Sequence, residues 1–100
     1  MLREGRRIVV CDASMTELIR PALYDAYHHI VPLKDSQPSP MVADIVGPVC
    51  ETGDTLGTDR ALAEVQRGDR LLIMNAGAYG MSMASNYNSR PRAAEVLIDK

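Results

Sequence analysis

The chain has no phenylalanine and no tryptophan, and its only aromatic residues are four tyrosines. A core without those rings must be built from Val, Ile, Leu, Ala and Met, with fewer large anchors than usual. One hundred residues leave room for one small domain, residues 1–100, burying roughly 60–70% of the surface its unfolded form exposes. Such a core is expected to be marginal or to lean on a partner surface. Cysteine is equally scarce. Cys11 and Cys50 make no disulfide framework, and no CxxC or Cys/His cluster reads as a zinc or other metal site. Positive charge is not in excess: the net charge of −2 excludes the electrostatic footprint of a nucleic-acid binder. No run of like charge suggests a disordered tail. No apolar run approaches the roughly 20 residues that span a bilayer, and the N-terminus lacks the apolar core of a signal peptide. These absences point to a reduced, cytoplasmic domain with neither nucleic acid nor membrane as partner.

What is present reads mainly as strands. Arg6 to Cys11 is a short β-branched run of the kind strands are made from. Residues 15–27 read as two short helical turns, because Pro21 removes a donor and biases Arg20 away from the helical region. His28 to Leu33, Met41 to Val49, Arg70 to Asn75 and Ala93 to Ile98 are further strand candidates. Residues 34–40 form a loop by composition, and Arg67-Gly68-Asp69 forms a turn. Leu56 to Arg67 is mostly polar, with scattered apolar positions. Short strands with turn signals between them predict an all-β architecture, barrel or sandwich, without a βαβ rhythm.

Several stretches could carry chemistry. In "GPVCETGD" (47–54) a thiol stands beside a carboxylate. Glu51 would raise the thiol's pKa and keep it protonated, which suits a proton donor better than a nucleophile. Glu51 itself suits a cationic amine. The structural alternative is a small buried cysteine at a strand end beside a solvated glutamate. Arg20 and Tyr24 are spaced i, i+4 and share one face if their turn is helical. Together they offer a planar fork and a hydroxyl to a carboxylate, or an exposed Arg packed on Tyr. His28 and His29 are adjacent, so in a strand they face opposite ways. Gly77-Ala78-Tyr79-Gly80 combines pliable backbone with one phenol, and also reads as a tight bend with Tyr as core filler. Asp54 and Asp69 each follow a glycine, as turn formers do. Asn86 to Pro91 has no role by residue type beyond a surface loop or an interface.

Taken in order, "IRPALYDAYH" (19–28), "VGPVCETGD" (46–54), the Gly68-Asp69 pair and "GAYGMSMASNYNSRPRAAEV" (77–96) resemble the C-terminal domain of the diaminopimelate decarboxylases. That family belongs to the alanine-racemase-like class of pyridoxal-phosphate enzymes. The resemblance runs from about residue 5 to residue 98 and implies a Greek-key-type β-barrel with short helical turns near 15–27. It also implies that an N-terminal (β/α)8 barrel, carrying the lysine that forms a Schiff base with the cofactor, is a separate part. The lysines of this chain, Lys34 and Lys100, lie in a Pro/Ser loop and at the terminus, and there is no Gly-rich phosphate loop. Pyridoxal 5'-phosphate is therefore expected in the full-length enzyme and not covalently on this chain, which alone should be inactive. The family's barrel also borrows a segment from near the full chain's N-terminus. An incomplete barrel, prone to edge pairing, is the expectation without it.

The resemblance assigns roles residue by residue. Cys50 matches the proton donor. Glu51 matches the acid that holds the distal ammonium of meso-diaminopimelate, and Arg20 with Tyr24 matches the pair that binds its distal carboxylate. Tyr79 matches the tyrosine that touches both cofactor phosphate and substrate. The family's Cys and Glu enter the site of the other subunit, so a homodimer with a shared active site is implied. The whole enzyme makes L-lysine and carbon dioxide. Thr52 replaces a common Ser, and Ser14 stands where the family has Gly or Ala. The competing reading is a stand-alone, non-catalytic binding or interaction module on the same barrel.

Overall fold

A computed structural model describes residues 2–3, 6–33, 40–49 and 51–98. Among these described residues six strands and one short helix follow one another: β1 (Leu2–Arg3), β2 (Arg6–Val10), α1 (Arg20–Tyr24), β3 (Ile30–Pro32), β4 (Pro40–Val46), β5 (Thr55–Ala63) and β6 (Leu71–Ile73). A short 3₁₀ turn covers Tyr87–Ser89. One sheet has four strands in the order β1-β2-β4-β5, and the other pairs β3 with β6. The architecture is mostly strand, as expected. Among the described residues the two sheets do not close into a barrel.

Strand β4 organises the larger sheet. It runs parallel to β2, with Arg7 opposite Ala43 and Val10 opposite Val46, and antiparallel to β5. A parallel pair needs a long crossover, and α1 and β3 lie on the one between β2 and β4. Along β4, Met41, Ala43 and Ile45 are buried while Val42 is exposed, the two-residue alternation of a half-buried strand. Leu18, Ile30, Leu56 and Leu62 close on these side chains to form the core. Its makers are aliphatic or Met, as a chain without Phe and Trp requires.

Three local expectations change. Residues 56–67 read as polar, yet β5 is the longest strand, with nine residues. Its register against β4 shifts near Ala43 and Ile45. At this bulge Asp59 adopts a left-handed φ of 53° and donates its N–H to Asp44 Oδ1 at 2.9 Å. The irregularity interrupts the alternation that would have marked the strand. Pro21 does not break a helix. It sits in the first turn of α1, where its missing N–H would have had no partner. The helix ends at Asp25, whose φ of 56° is the left-handed stop common at helix ends. Ala93 to Ile98 is not a strand. Among the described residues it pairs with no strand, and Leu97 is 95% exposed.

Candidate functional site

Three loops gather at one side of the sheet. The first spans 12–18. Ser14 N donates to Glu17 Oε1 at 2.9 Å, Glu17 N and Leu18 N donate to the Ser14 carbonyl at 3.0 and 3.1 Å, and Ser14 Oγ accepts from Thr16 N at 3.0 Å. The Ser-x-x-Glu spacing thus supplies the carboxylate half of a capping box. The Ser14 and Thr16 hydroxyls are hydrogen-bonded at 2.6 Å, and Thr16 Oγ1 also donates to Glu17 Oε2. Both Ser14 and Thr16 are fully buried.

The second loop, 47–54, is tied to the first by Asp54. This buried carboxylate accepts from Met15 N at 2.7 Å and from Val49 N at 3.1 Å. Within the loop Glu51 N donates to the Val49 carbonyl at 2.8 Å, and Asp54 N to the Glu51 carbonyl at 3.1 Å. The Glu51 side chain is exposed and accepts a 2.9 Å hydrogen bond from the Tyr87 hydroxyl. Cys50, the candidate proton donor, lies outside the described residues.

The third loop, 76–90, carries Tyr79 and Tyr87. Gly80 is buried, and a Cβ there would collide with the Ala76 carbonyl oxygen. Only glycine fits so close a backbone approach. Tyr79 next to it holds a φ of 65°, an uncommon conformation for a bulky residue. Ser85 N donates to the Thr16 carbonyl at 2.9 Å. Arg90 Nη2 donates to the Asp12 carbonyl at 2.6 Å and forms an ion pair with Glu17 at 3.2 Å. The 12–18 loop is thus the common anchor of the other two.

The candidate residues fall into two pairs. The Arg20 guanidinium lies 5.8 Å from the Tyr79 ring centroid, within cation–π range. Tyr24 stands one turn further along α1, with its ring 59% exposed. Glu51 pairs with Tyr87, a residue that residue-type logic left without a role. No local pattern marks it, because its partner is 36 positions away in sequence. Two concavities lie elsewhere. One is lined by Tyr27, His29 and Arg60, and the other by Val9, Cys11, Leu71 and Ile73. Arg20, Tyr24, Glu51 and Tyr79 line neither; Tyr24, Glu51 and Tyr79 are exposed and Arg20 is half-buried, so their polar groups stand at the surface.

His28 and His29 behave as adjacent residues should. His28 is buried, with Nδ1 3.1 Å from the Met74 carbonyl, while His29 is exposed and lies near the Tyr27 hydroxyl. Burial pushes the Cys11 thiol above its ordinary pKa, and nearby Asp12 and Asp54 add to the rise. Among the described residues no cluster of His, Cys, Asp or Glu could hold a metal ion, and no helix is long and apolar enough to cross a membrane.

Residues 2–77 match the family of the pyridoxal-dependent decarboxylase, C-terminal sheet domain. The chain belongs to this family. Its sheet domain is 60% identical over 96 residues to diaminopimelate decarboxylase of Neisseria meningitidis, and 55% identical over 95 residues to that of Aquifex aeolicus. It covers 95–96% of itself but only 23% of each relative. The fold superposes on diaminopimelate decarboxylase from M. jannaschii in co-complex with L-lysine. There the TM-score is 0.88 at 44% identity, over 92% of this chain and 21% of the other. The sheet domain therefore spans about a quarter of the proteins it resembles.

Proposed function

We propose that residues 1–100 are the C-terminal β-domain of a diaminopimelate decarboxylase, which converts meso-diaminopimelate to L-lysine and carbon dioxide in the cytoplasm. The observation that carries this reading is the set of polar groups at the surface. Glu51 and Tyr79 stand on loops locked together through the 12–18 loop, Arg20 and Tyr24 stand on α1 with the Arg20 guanidinium over the Tyr79 ring, and none of the four lines either concavity described above. A face of this kind is half of a site. The other half is a (β/α)8 barrel, and a segment from near the full chain's N-terminus would complete the Greek-key barrel that these sheets leave open. A homodimer brings the Cys50–Glu51 loop to the neighbouring subunit's pocket.

The residues fit the cofactor in part. Tyr79 offers an exposed phenol on a glycine-flanked loop and would meet the phosphate. The lysines of this chain, Lys34 and Lys100, lie outside the described residues, and this reading assigns the covalent attachment to the other half. When bound, pyridoxal 5'-phosphate supplies an electron sink for cleavage at the substrate's α-carbon. This chain's residues supply position and a proton. Arg20 and Tyr24 clamp the distal carboxylate, with Arg20 braced by the Tyr79 ring. Glu51 holds the distal ammonium, with the Tyr87 hydroxyl occupying one side of its carboxylate. Cys50 delivers a proton to the carbon that has lost its carboxylate, as general acid.

A chimera tests this reading. This chain replaces the corresponding quarter of the Aquifex aeolicus relative, and lysine release from meso-diaminopimelate is measured. The chimera should turn over, while the 100-residue chain mixed with cofactor and substrate should not. An inactive but folded chimera would favour a stand-alone binding module instead. So would a stoichiometric covalent cofactor adduct on the isolated chain, trapped by reduction and located by mass spectrometry.

A further inference from the structure

We propose that Asp54 is a positioning residue for Glu51, fixing where that carboxylate is presented by tying its turn to the 12–18 loop. The inference rests on the reading of Glu51 as the group that holds the substrate's ammonium. Asp54 is 3% exposed, and both of its carboxylate oxygens are engaged, Oδ1 by Met15 N and Oδ2 by Val49 N. Its backbone closes the same turn: its N–H donates to the Glu51 carbonyl at 3.1 Å, and its carbonyl accepts from Gly47 N at 3.0 Å. Glu51 is thus held through its own main chain, while Tyr87 holds only the tip of the side chain.

The chemistry of the two partners restricts position 54 to a carboxylate. Both are N–H donors, so both oxygens must accept. An amide of the same shape would turn its NH₂ toward one of them and leave a buried donor without a partner. Gly47 belongs to the same device. A Cβ there would stand 2.6 Å from Asp54 Oδ1 and 2.6 Å from Ser14 Cβ, and closer still to Oδ2. Only a residue without a side chain lets the carboxylate lie between the two loops. A turn that loses this tie lets Glu51 drift, and drift of about 1 Å at a binding group costs on the order of 100-fold in rate.

The test is a double-mutant cycle in the chimera. Asp54→Asn should lower kcat/KM for meso-diaminopimelate by roughly 10- to 100-fold, mainly through KM. Glu51→Gln should lower it at least as far, and the double variant should be no worse than Glu51→Gln alone. Losses that multiply would overturn the inference, because Asp54 would then act elsewhere. A Glu51→Gln chimera with unchanged kinetics would instead overturn the reading of Glu51 itself. If Asp54→Asn does not accumulate, Gly47→Ala disturbs the same carboxylate from the backbone side and should show the same non-additivity. The unsubstituted protein gives an independent arm: amide exchange at Met15 and Val49 should be slow and correlated. Fast exchange at either would remove the tie.

Discussion

The two sides of this domain are buried equally and held differently. On the sheet side Ile45 and Leu56 are 0% and 1% exposed; on the loop side Ser14 and Thr16 are 0% and 1% exposed. Ile45 and Leu56 gain from leaving water, about 1.5–3 kcal/mol for each such side chain, and that gain has no direction. Ser14, Thr16, Glu17 and Asp54 gain only when every donor meets its acceptor, and a partly satisfied buried network costs more than it contributes. The sheet can therefore adjust its packing, whereas the loops have one workable geometry. Glu51 and Tyr79 stand on the side that cannot adjust, where placement matters to chemistry, and Arg20 meets Tyr79 from α1.

The largest expected effect lies in the loop turn. Cys50→Ser in the chimera should lower kcat by about 10²–10⁴-fold, the usual contribution of a general acid, with KM changed only a few-fold. An unchanged kcat would take the thiol out of the chemistry. On the sheet side, Ile45→Ala should cost about 2–5 kcal/mol, and Ile45→Val only about 0.5–1.5 kcal/mol; urea midpoints measure both. Thr16→Val sharpens the contrast. It keeps the shape but strips a hydroxyl that serves Ser14 and Glu17, and should cost about 1–3 kcal/mol. A cost below that of Ile45→Val would erase the distinction between the two sides.

A smaller effect concerns pH. The Cys11 thiol is half-buried and donates to the Ala13 and Val46 carbonyls at 3.4 and 3.3 Å. Its pKa is raised, mainly by burial, so the folded state favours the protonated thiol. The stability this contributes is complete below the ordinary thiol pKa, about 8.5. It is lost as pH rises through the raised value. Cys11→Ala should flatten that alkaline decline, and an unaltered slope would assign the decline to other groups. Smallest of all, Leu97→Ser in the exposed 91–98 stretch should shift stability by no more than about 0.5 kcal/mol.

Legibility followed the same division. Strands β2, β4 and β6 were readable because β-branched runs and alternation report burial directly. β5 was not, because the bulge at Asp44 and Asp59 breaks its period. The 93–98 run has strand composition but pairs with no strand among the described residues, and composition cannot say where a partner is. Arg20 and Tyr24 were visible through helical spacing. The Glu51–Tyr87 and Arg90–Glu17 pairs join residues 36 and 73 positions apart, and no local pattern encodes them. Asp54 looked like a turn former after Gly53. Its tie to Met15 needed the fold to bring the two loops together.

The most direct measurement is a crystal structure of the chimera with L-lysine. Decarboxylation at one end of meso-diaminopimelate leaves the other end as the α-end of lysine. The α-carboxylate should meet Arg20 and Tyr24, and the α-ammonium should meet Glu51, all within hydrogen-bonding distance. Lysine bound with its α-end away from these loops, and Glu51 still engaged by Tyr87 alone, would contradict the claim that this face is half of a decarboxylase site.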